Sequence, residues 1–289
     1  MRRIWGRLSD VLRTSSPART LGASDFDAAL AVCRQDPQSN VFVAARLLEA
    51  GPAAAGSLIA IGGQHLSSMC WVSANIVPIG CDARALDVYA AKLRRYRRRC
   101  SSIFGEADQV LGLWERLEPT WGQPRSLRPE QPMMIVTTSP RDTGRPMDPR
   151  VRLAREDELD LVVPASAHMF TGEIGYPPYT GSDHEYRRLV RSLIRAGHTY
   201  VIVEAGRVLF KADVGSLAFG VAQIQGVWVA PKERGRGLAI PAMNSVVQHV
   251  LDHLAEDVTL YVNSYNEPAL RSYRATGFET IANFATIIL

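Results

Sequence analysis

One segment, residues 227–239, combines features that few folds can accommodate. It reads Val-Trp-Val-Ala-Pro-Lys-Glu-Arg-Gly-Arg-Gly-Leu-Ala, so an apolar strand leads through a proline-marked turn and a glycine-rich loop into an amphipathic helix. Gly235 and Gly237 let backbone N–H groups approach an anion closely, and the helix that follows adds the positive end of its dipole. Arg234 and Arg236 add positive charge. The segment therefore predicts a backbone cradle for a pyrophosphate.

Two other phosphate-binding loops do not fit this segment. A Walker loop requires Gly-Lys-Ser/Thr at its end, and a dinucleotide fingerprint requires Gly-x-Gly-x-x-Gly at the opening of a parallel βαβ unit. Residues 227–239 contain neither pattern. The cradle therefore belongs to another class of anion-binding fold.

Two motifs carry a resemblance to the GNAT acyltransferase superfamily. Residues 234–239 resemble its R/Q-x-x-G-x-G/A signature, and they follow a suitable apolar strand. A second block is similar to the superfamily's N-x-x-A-x-x-x-Y-x-x-x-G-F pattern and consists of Asn266, Ala269, Tyr273, Gly277 and Phe278. Two motifs in this order and separation are far more specific than either one. The resemblance covers residues 150–289 and, by element order alone, extends into residues 20–137.

The resemblance implies that acetyl-CoA is the cosubstrate and that no metal and no covalent acyl-enzyme take part. Backbone groups of Val227, Trp228 and Val229 would bind its pantetheine chain, and Asn266 would contact the same region. The residues that would bind the pyrophosphate are Arg234, Gly235, Arg236, Gly237, Leu238 and Ala239. A primary amine would attack the thioester directly, while Tyr273 would protonate the departing thiolate.

The general base is the uncertain part of this assignment. Many relatives carry a glutamate on the fourth strand that relays the amine proton through water, whereas the matching position here is Gln223, which cannot act as a base. The candidates are Glu173, His168 and Asp213, in that order. Glu173 stands in the turn-rich stretch 170–179, where the superfamily's acceptor-side loop is expected. The competing interpretations are a solvated charge for Glu173 and a local hydrogen bond for His168.

The order of predicted elements after residue 150 indicates an α+β fold. Strands are predicted at 151–154, 199–204, 207–212, 218–229, 258–262 and 284–289. Helices are predicted at 156–170, 238–254 and 268–276, with a further helix that begins at a capping box and ends near Gly197. The capping box is formed by Ser182 and Glu185.

The first half repeats this order more faintly. Helices are predicted up to Cys33 and at 83–99 and 107–117, with strands at 58–61, 69–72, 76–79, 102–104 and 133–136. The whole resembles the tandem, two-domain actinobacterial type of GNAT protein, with two mixed-sheet domains of which the first is degenerate. The predicted divisions are a basic lead-in at 1–19, domains at 20–138 and 150–289, and a proline-rich linker at 139–149.

The first half lacks the acyl-donor loop. The stretch 77–82 stands where a second cradle would be, and it contains no Arg-x-x-Gly-x-Gly pattern. We therefore predict one functional coenzyme A site, with a first half that shapes the acceptor site or holds a partner. The run 92–99 holds six basic residues, which form either a solvated face or a contact for an anionic partner, RNA or a membrane surface.

Length and composition limit the number of domains, the class of partner and the cellular location that we expect. The 289 residues suit two domains, and the formal charge of +4 gives no sign of a dedicated nucleic-acid-binding protein. The four cysteines have no Cys-x-x-Cys spacing, which favours reduced thiols. No apolar run approaches the length of a membrane span. We expect a cytoplasmic protein, and the oligomeric state stays open.

Three functions remain after these observations. The first is an N-acetyltransferase that acts on a small-molecule or peptide amine. The second is an acyltransferase with a larger donor or a protein lysine acceptor. The third is a catalytically inactive acetyl-CoA sensor or scaffold, motivated by Gln223 and by the degenerate first half.

Overall fold

The computed structural model describes residues 18–63 and 65–289, so most of the lead-in predicted at 1–19 lies outside the described residues. The helices are α1 (Phe26–Cys33), α2 (Pro37–Ala50), α3 (Ala83–Leu93), α4 (Ala107–Trp121), α5 (Leu159–Ile174), α6 (His184–Arg195), α7 (Ala239–His253) and α8 (Glu267–Thr276). The strands are β1 (Arg19–Thr20), β2 (Leu58–Ala60), β3 (Met69–Val72), β4 (Asn75–Ile79), β5 (Ser102–Glu106), β6 (Ser126–Val136), β7 (Arg152–Leu153), β8 (Thr199–Glu204), β9 (Arg207–Ala218), β10 (Val221–Val229), β11 (Asp257–Tyr261) and β12 (Glu279–Ile288).

All of these strands belong to one sheet, whose order is β1-β2-β3-β4-β5-β12-β6-β11-β10-β9-β8-β7. The order shows that the two halves exchange their last strands. β6 comes from the first half but pairs with β11, and β12 comes from the second half but pairs with β5; both pairings are antiparallel. The two exchanged strands also pair with each other. The halves therefore share a continuous hydrogen-bonded sheet.

Each half repeats the same succession of elements. In both, two helices precede an antiparallel run of strands, and a parallel strand pair flanks the third helix: β4 with β5 in the first half and β10 with β11 in the second. The palindromic strand order relates the halves by an approximate two-fold axis between β12 and β6. This arrangement agrees with the duplication expected from element order.

Helices cover both faces of the sheet, as the alternation of side chains in a strand requires. On β10, Ala222 packs into the core beneath α7 and α8, whereas its neighbour Val221 packs into the core beneath α1 and α2. Helices α5 and α6 cover the second half on the same face as α1 and α2. Helices α3 and α4 cover the first half on the face of α7 and α8.

Helix α2 was not predicted, although it joins the two halves. Asp36 caps it by accepting a hydrogen bond from the Ser39 N–H at 3.0 Å, and Pro37 occupies its first turn. Arg46 donates from Nη2 to the carbonyl oxygen of Gly215 on β9 at 3.1 Å. The N-cap and the proline were a readable signal for a helix that covers the other half's strands.

Several predicted boundaries were wrong. Helix α5 continues to Ile174 and ends at Gly175, whose φ of 90° closes the helix. Helix α6 begins at His184 with no side-chain cap, because the Ser182 hydroxyl accepts only from the N–H of His184, at 3.3 Å. Helix α3 ends at Leu93, so most of the basic run lies beyond it.

The proline-rich stretch 139–149 is anchored to α7. Ser139 donates to Oε1 of Gln248 at 2.7 Å, and Asn244 donates to the carbonyl oxygen of Pro146 at 2.7 Å. The proposed domain limits on either side of it stay a prediction. In the part of the chain that the structure describes, no helix is both long and apolar enough to cross a membrane.

Candidate active site

The sheet opens between β10 and β11. These strands pair in parallel only from Val221 to Gln223 on β10 and from Asp257 to Thr259 on β11. Further along, β10 stays paired with β9 but carries a bulge between Gln225 and Trp228. Among the described residues, the edge of β10 that faces β11 therefore lacks a paired strand beyond Gln223. The backbone of Val227, Trp228 and Val229 borders this opening and has the geometry to bind an extended chain.

The glycine-rich loop closes one end of the opening. Gly235 and Gly237 have φ angles of +74° and +80°, and a Cβ built on either would meet nothing within 4 Å. Within the described residues, the backbone N–H groups of 235–240 donate to no other backbone group outside α7. Free N–H groups at the start of a helix form an anion site.

Arginine and leucine side chains complete the loop. Arg234 donates from Nε to the carbonyl oxygen of Val229 at 3.1 Å, which ties the loop to the end of β10. Arg236 is exposed and lies 3.3 Å from Glu233, so its ion pair is weak and easily exchanged. Leu238 precedes α7 directly and Ala239 is its first residue. The six predicted residues are thus consecutive and run from the loop into the first residue of α7.

At the equivalent position in the first half, side-chain oxygens of the protein already accept hydrogen bonds from the backbone N–H groups. The carboxylate of Asp82 accepts from the N–H of Ala85 at 2.7 Å, and the N–H of Cys81 donates to Gln109 at 2.9 Å. A negative charge already occupies the start of α3, where it would repel a phosphate. These contacts favour the prediction of a single coenzyme A site.

Tyr273 and Glu173 approach the opening from opposite faces of the sheet. Tyr273 belongs to α8 and is 9% exposed, whereas Glu173 lies in the last turn of α5, not in the loop that was expected. Burial, and after it the nearby Glu173 carboxylate, raises the pKa of Tyr273. The same two causes raise the pKa of Tyr261 on β11 to about 12. The charge of Glu173 thus adds to the rise in the pKa of Tyr273.

The Glu173 carboxyl group is itself perturbed. The residue is exposed to solvent. Protein atoms nevertheless crowd around it, so desolvation raises its pKa above the usual 4.5, and the positive charge of Arg128 partly offsets this shift. A carboxylate with a raised pKa in a cleft has the character of a general base.

The competing base candidates are occupied. Gln223 is buried on β10, with an amide that cannot accept a proton. His168 accepts a hydrogen bond from Nε1 of Trp228 at 3.2 Å. Asp213 is buried in an ion pair with Lys211 and also accepts from the hydroxyl of Thr199 at 2.9 Å. Among these base candidates, Glu173 is therefore the carboxylate that solvent can reach.

Asn266 has a structural contact of its own. It is the N-cap of α8, where its Oδ1 accepts from the N–H of Ala269 at 3.3 Å. The side chain is exposed near the end of β11. Its contact with a pantetheine chain stays a prediction.

Sequence reasoning missed the polar residues that β6 brings to the site. Gln131 is 2% exposed, donates to Oδ1 of Asn263 at 2.9 Å and accepts from the hydroxyl of Thr286 at 2.6 Å. Arg128, on the same strand, is 7% exposed. No local signal could have identified them, because their position depends on the strand exchange. Among the residues described, no cluster of three or more His, Cys, Asp or Glu side chains is arranged to bind a metal.

Comparisons with known proteins agree with the geometry. Residues 168–278 match the model of the Acetyltransferase (GNAT) family, and residues 56–162 match a Domain of unknown function (DUF4081). No curated protein sequence matches the chain.

Solved structures resemble almost the whole chain. A Drosophila protein is 12% identical, with 94% of this chain and 98% of that one covered and a TM-score of 0.64. A GCN5-related N-acetyltransferase from Sphaerobacter thermophilus is 16% identical, with 93% of each chain covered and a TM-score of 0.60. A tandem GNAT protein from the clavulanic acid biosynthesis pathway is 15% identical, covers 93% of this chain and 97% of its own, and has a TM-score of 0.55. Residues 168–278 therefore form a domain of the GNAT acetyltransferase family, and the fold of the chain resembles that of a tandem GNAT protein.

Proposed function

We propose that the protein transfers an acetyl group from acetyl-CoA to a primary amine by direct attack in a ternary complex. The observation that carries the proposal is the opening between β10 and β11, which ends at a glycine loop with free N–H groups and open space above Gly235 and Gly237. A pyrophosphate fits the loop, and an extended pantetheine chain fits the unpaired edge of β10.

The chemistry then needs three contributions from the chain. Glu173 removes a proton from the ammonium group of the acceptor, directly or through a water. Backbone N–H groups at the bulge of β10 stabilise the negative charge that develops on the thioester oxygen as the amine nitrogen attacks the carbonyl carbon. The C–S bond then breaks, and Tyr273 donates its proton to the thiolate. Its raised pKa keeps that proton available at neutral pH. The proton that the nitrogen loses as the amide forms passes through water to the tyrosine oxygen.

Binding without turnover is the second candidate function. Gln223 replaces the usual carboxylate, and the first half carries Asp82 in place of a phosphate loop. A protein that binds acetyl-CoA as a sensor or scaffold would show the same opening. A larger acyl donor or a protein lysine acceptor would also use the same geometry.

Calorimetry of acetyl-CoA binding tests the cofactor site. Wild type should bind with a Kd on the order of micromolar, and Gly237→Glu should lose binding because its side chain fills the cradle with bulk and negative charge. Gly144→Glu is the matched control, since Gly144 also has a positive φ of 65° and open space, and the chain just before it contacts α7 at Gln248 rather than at the helix start. Equal loss in both folded variants, or no binding by wild type, would contradict the proposal.

Thiol release in the presence of a broad amine panel separates catalysis from sensing. Acetyl-CoA-dependent release that requires an amine supports the transferase. Tight binding with no release for any amine or peptide supports the sensor. Competition among acyl-CoA species then reports the preferred chain length.

A further inference from the structure

Arg128 is a buried cation with an unusual position. It lies on β6, opposite Thr286 of β12, and is only 7% exposed. Buried arginines generally have an acidic partner, because an unpaired charge loses several kcal/mol of hydration. In the described part of the chain, however, no carboxylate lies within ion-pair distance of Arg128.

The hydrogen bonds of its guanidinium are also incomplete. Nη2 donates to the main-chain oxygen of Glu173, which fixes the group at the end of α5. Nε is fully buried, and no described residue accepts from it. A buried donor without an acceptor is costly unless a ligand supplies one.

No neighbouring polar group among the described residues supplies the missing acceptor for Arg128 Nε. The amide of Gln131, on the same strand, already donates to Asn263 and accepts from Thr286. Glu173 offers its main-chain oxygen, and its carboxylate makes no ion pair within the described residues. Desolvation raises the pKa of Glu173 and of Tyr261, and the positive charge of Arg128 partly offsets both shifts. The guanidinium of Arg128 therefore lacks an anionic partner within the described residues.

We infer that Arg128 binds a carboxylate of the acceptor, which is therefore an amino acid or another amine with a carboxylate close to its amino group. The inference rests on the proposed function and names its substrate class. Arg128 contacts the main chain of the residue whose side chain is the candidate base. The guanidinium and the candidate base are thus neighbours in the structure. The ammonium and carboxylate of an α-amino acid are similarly close.

Matched acceptor pairs test the inference. Each pair joins an α-amino acid to the amine that lacks its carboxylate, such as phenylalanine with 2-phenylethylamine and glutamate with 4-aminobutyrate. Wild type should favour the α-carboxylated member in kcat/KM, and Arg128→Met should reduce that preference by about 10- to 100-fold, the value of a charge-assisted pair. Arg128→Lys should restore part of it. Arg188→Met is the control, because Arg188 is exposed and makes only a surface ion pair.

A merely structural role gives a different result. If Arg128 only holds the end of α5, the variant lowers kcat/KM equally for both members of each pair, and the inference is overturned. A wild type that prefers phosphoethanolamine to every carboxylated amine also overturns it, because the anion would then be a phosphate.

A binding measurement keeps the inference testable if no acceptor turns over. N-acetyl-amino acids and their neutral amides are titrated calorimetrically into wild type saturated with coenzyme A. Tighter binding of the acids, lost in Arg128→Met, supports the carboxylate site, whereas equal or undetectable binding refutes it. Failure of acetyl-CoA itself to bind would instead refute the proposed function.

Discussion

Gly226 lies in the bulge where β10 leaves β11, and its φ is +62°. A Cβ at this position would lie 2.9 Å from a carboxylate oxygen of Asp213, 3.2 Å from Nζ of Lys211 and 3.2 Å from Cε of Met169. The first two atoms belong to a buried ion pair that cannot move into solvent. We therefore expect Gly226→Ala to be unusually damaging for so small a change.

The expected cost has two parts. The left-handed conformation costs a non-glycine residue about 1 kcal/mol. Displacing the buried ion pair adds a fraction of the roughly 3–5 kcal/mol that breaking such a pair costs. Together these give about 2–4 kcal/mol of lost unfolding free energy. The bulge also positions the backbone N–H groups that we propose stabilise the oxyanion, so kcat should fall as well.

Gly144→Ala provides the matched control. Gly144 has a φ of +65°, but a Cβ there meets nothing within 4 Å. It should lose only the backbone part, about 1 kcal/mol, with unchanged kcat. Urea denaturation at pH 7 measures both variants, and thiol release measures turnover. Equal losses of stability, or a Gly226→Ala variant with full activity, would refute the reasoning about the bulge.

Three other changes test the site and its support. Glu173→Gln should lower kcat by about 10²–10⁴ and remove the acidic limb of the kcat/KM profile. In wild type this limb should lie above pH 4.5, because desolvation by the surrounding protein atoms raises the pKa of Glu173 and protonation abolishes the base. Tyr273→Phe should lower kcat about 10- to 100-fold with the Kd for acetyl-CoA unchanged, and an unaltered kcat would exclude Tyr273 as the acid. Glu158→Gln should cost about 2–3 kcal/mol at pH 7, since Arg152 holds the pKa of the buried Glu158 at about 2. That stabilisation should be lost in wild type as the pH falls from about 4.5 towards 2; the exposed Asp157→Asn should change little, and equal effects would contradict the pairing.

Local sequence signals predicted the second half well. Strand β8 lies at 199–204 as expected, and α7 differs from the predicted helix by one residue at each end. Both elements have a clear period and a glycine near one boundary, which are signals carried by neighbouring residues. The glycine-rich turn at 234–238 and the start of α7 at Ala239 were readable for the same reason.

The first half was harder because its signals conflict. Pro129 and Pro132 interrupt β6, so only its end at 133–136 was predicted, and the part that carries Arg128 was missed. The strand exchange is a long-range choice between equivalent partners, since β6 and β12 have similar positions in their halves. Local propensity does not distinguish these partners. A residue whose position in the site depends on the exchange could therefore not be predicted from the local sequence.

The strand exchange also explains how a first half without an acyl-donor loop can still contribute residues to the cleft. Strand β6 completes the second half's sheet beside β11, and it brings Arg128 and Gln131 to the cleft. In return β12 carries Phe284 next to Tyr261, with ring centroids 5.4 Å apart, and Phe104 of β5 stacks on the same tyrosine at 6.5 Å. The acyl-donor side of the opening comes from the second half alone, whereas the face opposite it comes from both. A separated second half would keep its anion loop but would lose β6, and with it the guanidinium that we assign to the acceptor.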